Sequence, residues 1–470
     1  MNKANKRLIS GTAVYMIGSL TSRLLQLLIL PILTGVLLTE EYGYYDLIVS
    51  TFGLILPITT LKTVDAVFRF MFHVEDDEKN EIISTVSILL TGVTVSLGVV
   101  FLVVAGFIDK INYPILIFLH YITYTYHDLA QKTARSLGQN KQFAISGVLH
   151  TIVLLGVELV CLLSLKMRVD GLLWANIISN AAVIGYLNIG IHFEKRIRIS
   201  RFNSAKLREL LKFSIPLIPN SICWWFVSLC DKYVIAIFLG TSANGIYTVS
   251  NKFPQLITFA TSVFQLAWQE SAIMEANSEE RDRFYSVVFN QYLRLLCSAF
   301  IAGIFAIRIV MPYMVDAKFA DSLLYVPPLL FSTVFSAFSQ FYGTSYLVSK
   351  KTSGVFTTTL ISAVVNLAVC LSLIKIVGLL AAPLSTCCAY LVQWIVRDHQ
   401  LRGEFKVRID WKTFIPLLLL MLLLSGLYYI VNDLALQIIV LFIAVCIALF
   451  INWKTIKNIV TKAFEMLKSR

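Results

Sequence analysis

The sequence predicts an all-α polytopic membrane protein, on three observations: its composition, its apolar runs of bilayer length, and the one-sided distribution of its basic residues. Of 470 residues, 57% are hydrophobic and 14% charged, against about 45–50% and about 25% in soluble globular chains. The apolar excess extends from Leu8 to Asn452. The longest polar connection, roughly Phe193 to Lys212, is much shorter than the ~50 residues a separate soluble domain needs. Chemistry must therefore reside within the membrane or on short loops.

A helix crossing the hydrocarbon core needs ~20 apolar residues. Fourteen runs qualify: 9–37, 44–67, 82–107, 112–133, 142–165, 170–192, 213–239, 244–272, 286–314, 322–348, 353–376, 377–396, 413–431 and 434–452. They are continuous rather than alternating, which excludes barrel strands, and helices are the remaining way to satisfy a backbone in lipid. With the N-terminus inside, 29 Lys and Arg, Lys132 and Arg397 among them, fall on cytoplasmic segments, five on the opposite face and six within spans. That bias predicts cytoplasmic N- and C-termini and an even number of spans. It also accounts for the net charge of +12 without a nucleic-acid partner.

The eight cysteines lie in apolar runs without zinc-type spacing, and read as small packing residues. The basic N-terminus precedes an apolar run too long for a signal-peptide core, so it reads as a retained first span. From Trp453 to Arg470 the apolar residues recur at helical spacing among lysines, which predicts a helix lying on the cytoplasmic surface.

The chain resembles itself at an offset of 202: Leu38-Thr-Glu-Glu-Tyr-Gly-Tyr-Tyr45 against Gly240-Thr-Ser-Ala-Asn-Gly-Ile-Tyr247. A weaker match at an offset of 210 relates Leu137-Gly-Gln-Asn-Lys141 to Leu347-Val-Ser-Lys-Lys351. Two six-span halves follow, related about an axis along the membrane normal. The expected division is an N-lobe over 1–193, a cytoplasmic linker over 194–212, a C-lobe over 213–400, two further spans over 401–452 and a cytoplasmic amphipathic tail over 453–470.

These segments carry a family resemblance. Leu210-Leu-Lys-Phe-Ser-Ile-Pro-Leu-Ile-Pro219, Asp231-Lys232-Tyr233 and Phe238-Leu-Gly-Thr-Ser-Ala-Asn-Gly-Ile-Tyr247 resemble the start of the second lobe in Wzx-type polysaccharide flippases of the MOP exporter superfamily. In the first lobe, Glu41-Tyr-Gly-Tyr-Tyr-Asp46, Asp65-Ala66 with Phe68-Arg69-Phe70, and Arg135-Ser-Leu-Gly-Gln-Asn-Lys141 resemble the same family. The resemblance implies two six-helix bundles around a central cavity, as in MATE-like transporters. It implies flipping of undecaprenyl-pyrophosphate-linked oligosaccharide from the inner to the outer leaflet of a bacterial cytoplasmic membrane, for O-antigen or capsule synthesis. Partners would be the lipid-linked glycan, membrane lipids and polysaccharide polymerase or assembly proteins. A MATE-like drug or cation antiporter, and a non-transporting component of a glycan-assembly complex, are the alternatives. The short outer loops argue against an enzyme.

Ionisable groups inside spans are costly and functional by default. The cations Arg23, Lys62, Lys232, Lys252 and Arg294 are the candidates for holding a pyrophosphate, because an anion cannot cross apolar medium unpaired and Arg and Lys suit phosphate. Arg23 leads, having no acid within four positions. Asp46, Asp65, Glu158 and Asp231 are candidates for proton or sodium coupling or for pairing with those cations. Lys62 and Asp65, three apart, and Asp65 and Arg69, four apart, can each meet on one helix face; Asp65 and Arg69 are expected to pair structurally, and Arg308 to snorkel to an interface. No cofactor or metal is called for. His120 and His127, seven apart, share a helix face that would line the cavity or contact sugar. Trp224, Trp225, Tyr121, Tyr124, Phe341 and Tyr342 are candidates for sugar stacking. Pro216, Pro219, Pro254, Pro327 and Pro328 are expected kinks or hinges.

Overall fold

The computed structural model describes residues 25, 27–71, 74–108, 111–349, 352–402, 405–453 and 457. Arg23, most of the first expected span and most of the expected amphipathic tail lie outside them. Among the described residues the regular structure is entirely helical. The helices are numbered α1 Leu30–Val36, α2 Thr39–Thr59, α3 Thr63–Phe70, α4 Asp76–Gly106, α5 Pro114–Ser136, α6 Asn140–Leu159, α7 Val169–Ile191, α8 Ser204–Ser214, α9 Ile218–Leu239, α10 Thr241–Lys252, α11 Pro254–Met274, α12 Arg281–Met314, α13 Val326–Val348, α14 Thr352–Val377, α15 Ala381–Leu401, α16 Trp411–Ile430 and α17 Leu434–Ile451.

Nine of the described helices, or ten with the bent pair α2–α3, are long and apolar enough to cross a membrane. The chain is therefore a multi-pass membrane protein. Fewer helices pass this test than the fourteen expected spans, for physical reasons. Helix α5 has membrane length but carries His, Tyr, Thr and Asp side chains; α10 and α11 divide one expected span at Phe253; α14 and α15 run on through the short 3-10 turn Gly378–Leu380 and count together. The many exposed Leu, Ile, Val and Phe side chains of α4, α16 and α17 are what lipid-facing surfaces require.

The chain divides into two compact units, Met1–Trp225 and Phe226–Arg470. In the first, α3, α4, α5 and α7 close a core of Val64, Val67, Ile83, Val86, Leu129, Ala130, Val183 and Leu187, joined by Leu210 of α8. The basic 194–212 segment docks back onto the start of α4. Arg196 donates to Asn80 (3.0 Å), Asn203 donates to Glu81 (2.6 Å), and Lys206 and Arg201 pair with Glu78 and Asp77 at 2.8 and 3.4 Å. The acidic first turn of α4 thus offsets much of the charge that the topology count assigned to a free linker.

In the second unit, α15 packs between α13 and α14. Lipid offers no hydrophobic drive for helix association, so close approach of small residues and interhelical hydrogen bonds carry it. Ala381, Ala382, Ser385 and Ala389 of α15 are buried, and Ser362 of α14 donates to the Ala389 carbonyl at 3.1 Å. At the start of α16, Asp410 caps the helix by accepting from the Thr413 amide (3.3 Å) and hydroxyl (2.6 Å). The Thr413 hydroxyl bond, above all, holds the Asp410 carboxyl below its ordinary range. A lowered carboxylate contributes stability that is full above its unfolded pKa and disappears as pH falls through the folded one. Asp410→Ala is therefore expected to cost about 0.5–1 kcal/mol near neutrality. In chemical denaturation, that difference from wild type should shrink progressively as pH falls below the ordinary aspartate value of about 3.9.

The expected hinge prolines mostly serve as helix starts. Pro254 opens α11, and Pro327 and Pro328 sit in the first turn of α13, where a missing N–H costs nothing. Pro216 lies in the 3-10 turn Ile215–Leu217, between α8 and α9, and Pro219 in the first turn of α9.

Candidate functional site

Five of the charged residues singled out in the sequence, Asp46, Lys62, Asp65, Glu158 and Asp231, fall into three clusters. The first lies where the α2–α3 span bends by 64°. Pro57 withholds one backbone donor there, and the threonines that follow stitch the break. The Thr59 and Thr60 hydroxyls donate to the Ile55 and Leu56 carbonyls at 3.0 and 2.6 Å, and the Thr63 hydroxyl donates to the Thr60 carbonyl at 2.7 Å. Leu61 and Lys62 adopt φ of 48° and 56°, a left-handed region that side chains other than glycine rarely occupy and that concentrates at functional sites. Broken spans are also where membrane transporters expose polar groups.

Lys62 donates from this break to Asp65 Oδ2 at 2.8 Å, and Lys132 of α5 donates to Asp65 Oδ1 at 2.9 Å. The sequence expectation of an Asp65–Arg69 pair is corrected: Arg69 is exposed, and the bend carries Asp65 towards two lysines instead. Two ammonium groups share one carboxylate, and each is only about a quarter to a third exposed (26% and 30%). An ammonium has three donors, so both lysines keep capacity for a further anion. Lys132 had been counted as a cytoplasmic loop charge. Its signal in the sequence was Asp128, one turn earlier on the same face of α5.

The second cluster joins α2, α6 and α7. Glu158 is buried at 6% exposure in the last turn of α6, just ahead of a π-helical turn, Val160–Ser164, that begins after Leu159, a distortion frequent at functional positions. Glu158 and Asp46 both act electrostatically on Tyr42 and Tyr45. Asn176 of α7 donates to the Tyr45 hydroxyl at 2.8 Å.

The third cluster is in the second unit. Asp231 of α9 is 2% exposed. Its carboxylate accepts from the hydroxyls of Tyr247 and Thr386, the latter at 3.3 Å, and from the Lys232 amide at 2.9 Å. Tyr247 thus sits at one of the repeat positions, paired in sequence with Tyr45 in the first half. Removing its hydroxyl leaves a buried carboxylate short of a donor, and Tyr247→Phe is expected to lower stability by about 1–3 kcal/mol, read as the thermal midpoint of the purified protein.

The remaining candidates are dispersed. Lys232 is half-buried beside Asp231, and Lys252 is half-buried at the end of α10. Arg294 of α12 approaches Asp410 at 3.8 Å, with its Nε buried and unmatched. Arg308 donates to Asn432 at 3.0 Å, its guanidinium lying over the Tyr428 ring. The expected stacking aromatics are mainly packing groups. Trp225 is buried and donates to the Ser50 carbonyl at 2.8 Å. Phe341 and Tyr342 are fully buried, with Trp268 stacked on Phe341 at 4.1 Å.

A second charge, besides Lys132, escaped the sequence reading. Arg397, counted among cytoplasmic loop cations, lies within α15 at 1% exposure. It donates to the Ser339 carbonyl at 2.8 Å and to the Thr358 and Thr359 hydroxyls at 3.1 and 3.5 Å, tying α15 to α13 and α14. Its approach explains a glycine: a Cβ on Gly343 would meet the guanidinium at 2.7 Å.

Comparison with known proteins places this arrangement in context. The family model described as "Polysaccharide biosynthesis protein" matches residues 8–269. No curated protein sequence matches the chain. Among solved structures, the chain is similar to the lipid II flippase MurJ in an inward closed conformation, with a TM-score of 0.67 and 14% identity over 94% of this chain and 100% of that one. It is similar to a multidrug resistance MATE family transporter of the MOP superfamily in its inward-facing conformation, with a TM-score of 0.64 and 12% identity over 81% and 95%. In an outward-facing conformation the values are 0.61 and 15% over 86% and 96%. The chain has the fold these proteins share and belongs to the polysaccharide biosynthesis protein family.

Proposed function

We propose that this protein is a flippase that carries undecaprenyl-pyrophosphate-linked oligosaccharide repeat units from the inner to the outer leaflet of a bacterial cytoplasmic membrane by alternating access, in the synthesis of O-antigen, capsule or a related surface polysaccharide. The observation that carries the reading is the Lys62–Asp65–Lys132 cluster at the α2–α3 break. Two partly exposed ammonium groups on one carboxylate leave donors for a diphosphate that must pass through low-dielectric surroundings. Membership of a polysaccharide biosynthesis family supports the glycan, and the fold of a lipid II flippase supports a lipid carrier. Lys232, Lys252, Arg294 and Arg23 are proposed from the sequence as further cations for the diphosphate. The orientation with both termini cytoplasmic is part of the proposal, as is action beside polymerase and assembly proteins.

The test is reconstitution into liposomes with a fluorescent undecaprenyl-pyrophosphate oligosaccharide in one leaflet, its transfer followed by a membrane-impermeant quencher. Transfer that depends on the protein is expected. Absence of transfer, with export of small organic cations by the same liposomes, would replace this reading with the antiporter.

A further inference from the structure

Histidine is scarce in this chain, six among 470 residues, yet three meet inside the first unit. His127 of α5 and His150 of α6 stack with ring centroids 5.0 Å apart and 17° between their planes. Tyr124 stands edge-on to both His120 and His127, at 6.4 and 6.3 Å. On the far side, His150 Nε2 lies 3.2 Å from Asn180 Oδ1 and 3.3 Å from the Ser179 hydroxyl of α7. By contrast, both ring nitrogens of His127 and the Nδ1 of His120 are buried with no hydrogen-bond partner.

A neutral imidazole always presents one donor and one acceptor. Burying both unmatched is unfavourable, and a purely packing residue at position 127 has no need of nitrogens. The stack supplies a use for them. An imidazolium is attracted to the face of a neighbouring ring, so one proton is stabilised on the pair. A second would set two like charges at the same short separation. The lone pairs of parallel rings do not converge on one point, which disfavours a metal. Among the described residues no group of three His, Cys, Asp or Glu side chains is placed to hold one.

The charged surroundings suit a single added proton. On α5, Asp128 follows His127 directly and Lys132 lies one turn on. The preceding turn and α3 bring Lys62 and Asp65, bonded to Lys132. Helix α6 adds Glu158, about two turns beyond His150. Helix α7 presents neutral Ser179 and Asn180 at the pair, with Tyr186 farther along. Helix α2 contributes Tyr45 and Asp46 around Glu158, and α4 contributes Thr91, bonded to Tyr126 of α5.

We propose that the stacked His127–His150 pair is a proton-binding site of the first unit, taking one proton on one ring or the other, with the neighbouring ring neutral. It stands apart from the carboxylates named for coupling, and it does not depend on the identity of the transported molecule.

The test is imidazole NMR of histidine-labelled full-length protein in lipid nanodiscs, titrated from about pH 9 to about pH 4, a range bracketing the ordinary histidine value. The resonances of His127 and His150 are expected to move together with the uptake of one proton, a second entering only at lower pH, as for a coupled pair. In His150→Phe, which keeps a ring but no nitrogen, His127 should titrate alone with a displaced midpoint; His150→Asn repeats the comparison should the bulkier ring disturb folding. Uptake of two protons at one midpoint would overturn the proposal. So would the absence of titration in both rings, or a His127 curve unchanged in both variants. Each of these outcomes is independent of any transport assay.

Discussion

Lys62→Gln is expected to lower translocation of lipid-linked glycan at least about tenfold while the protein inserts at normal levels, since a hydrogen bond to a charged group contributes about 1.5–3 kcal/mol. Lys62 occupies the left-handed turn of a broken span and bonds Asp65 at 2.8 Å. Its removal therefore has two consequences, loss of a cation for the diphosphate and loss of a partner for Asp65. The double variant Lys62→Gln, Asp65→Asn separates them. If Lys62 only balances Asp65, the double variant restores transport, because Lys132 remains. If Lys62 contacts the substrate, transport stays low, and this is the expected result. Surface polysaccharide, normalised to the amount of protein in the membrane, is the readout.

Arg397→Ala is expected to be among the most destabilising substitutions in the second unit, at about 3–5 kcal/mol, because it opens a cavity and removes bonds that hold three helices. Arg397→Met is expected to cost within about 1.5 kcal/mol. It restores most of the volume and removes a buried charge, and apolar replacement of buried charges is often neutral. The two threonines it releases are also bonded along their own helix, Thr358 to the Gly354 carbonyl at 2.8 Å and Thr359 to the Val355 carbonyl at 2.7 Å. Thermal unfolding of the purified variants separates the cases. A methionine variant as unstable as the alanine one would mean that the guanidinium's polar bonds, and not its bulk, hold the helices together.

Much of the fold was legible because lipid imposes simple rules. Span length is fixed by bilayer thickness, and Leu38 and Gly240, equivalent positions of the two similar segments, each stand as the N-cap residue of a helix, α2 and α10. The same reading identified Lys62, Asp65, Glu158 and Asp231 as charges inside spans, each of which takes part in an interaction in the structure. It failed where the meaning of a charge depends on packing. Lys132 and Arg397 sit near the ends of spans, and a topology count assigns such residues to loops by position alone. Whether an end-of-span cation reaches solvent or folds inward depends on helices distant in sequence: α3 for Lys132, α13 and α14 for Arg397. The partner of His127 was hidden for the same reason. His120 and His127 share a helix face that spacing can reveal, whereas His150 arrives from α6 only when α5 and α6 pack. Of the two pairings that spacing allows Asp65, the one with Lys62 forms, while its second partner, Lys132, arrives from α5 and cannot be read from local spacing.

The central claim is tested most directly by depleting the protein in its native host while scoring surface polysaccharide and the membrane leaflet that holds the lipid-linked precursor. The account predicts loss of surface polysaccharide with the precursor accumulating on the cytoplasmic leaflet. Unchanged surface polysaccharide, with the precursor distributed as before, would contradict it.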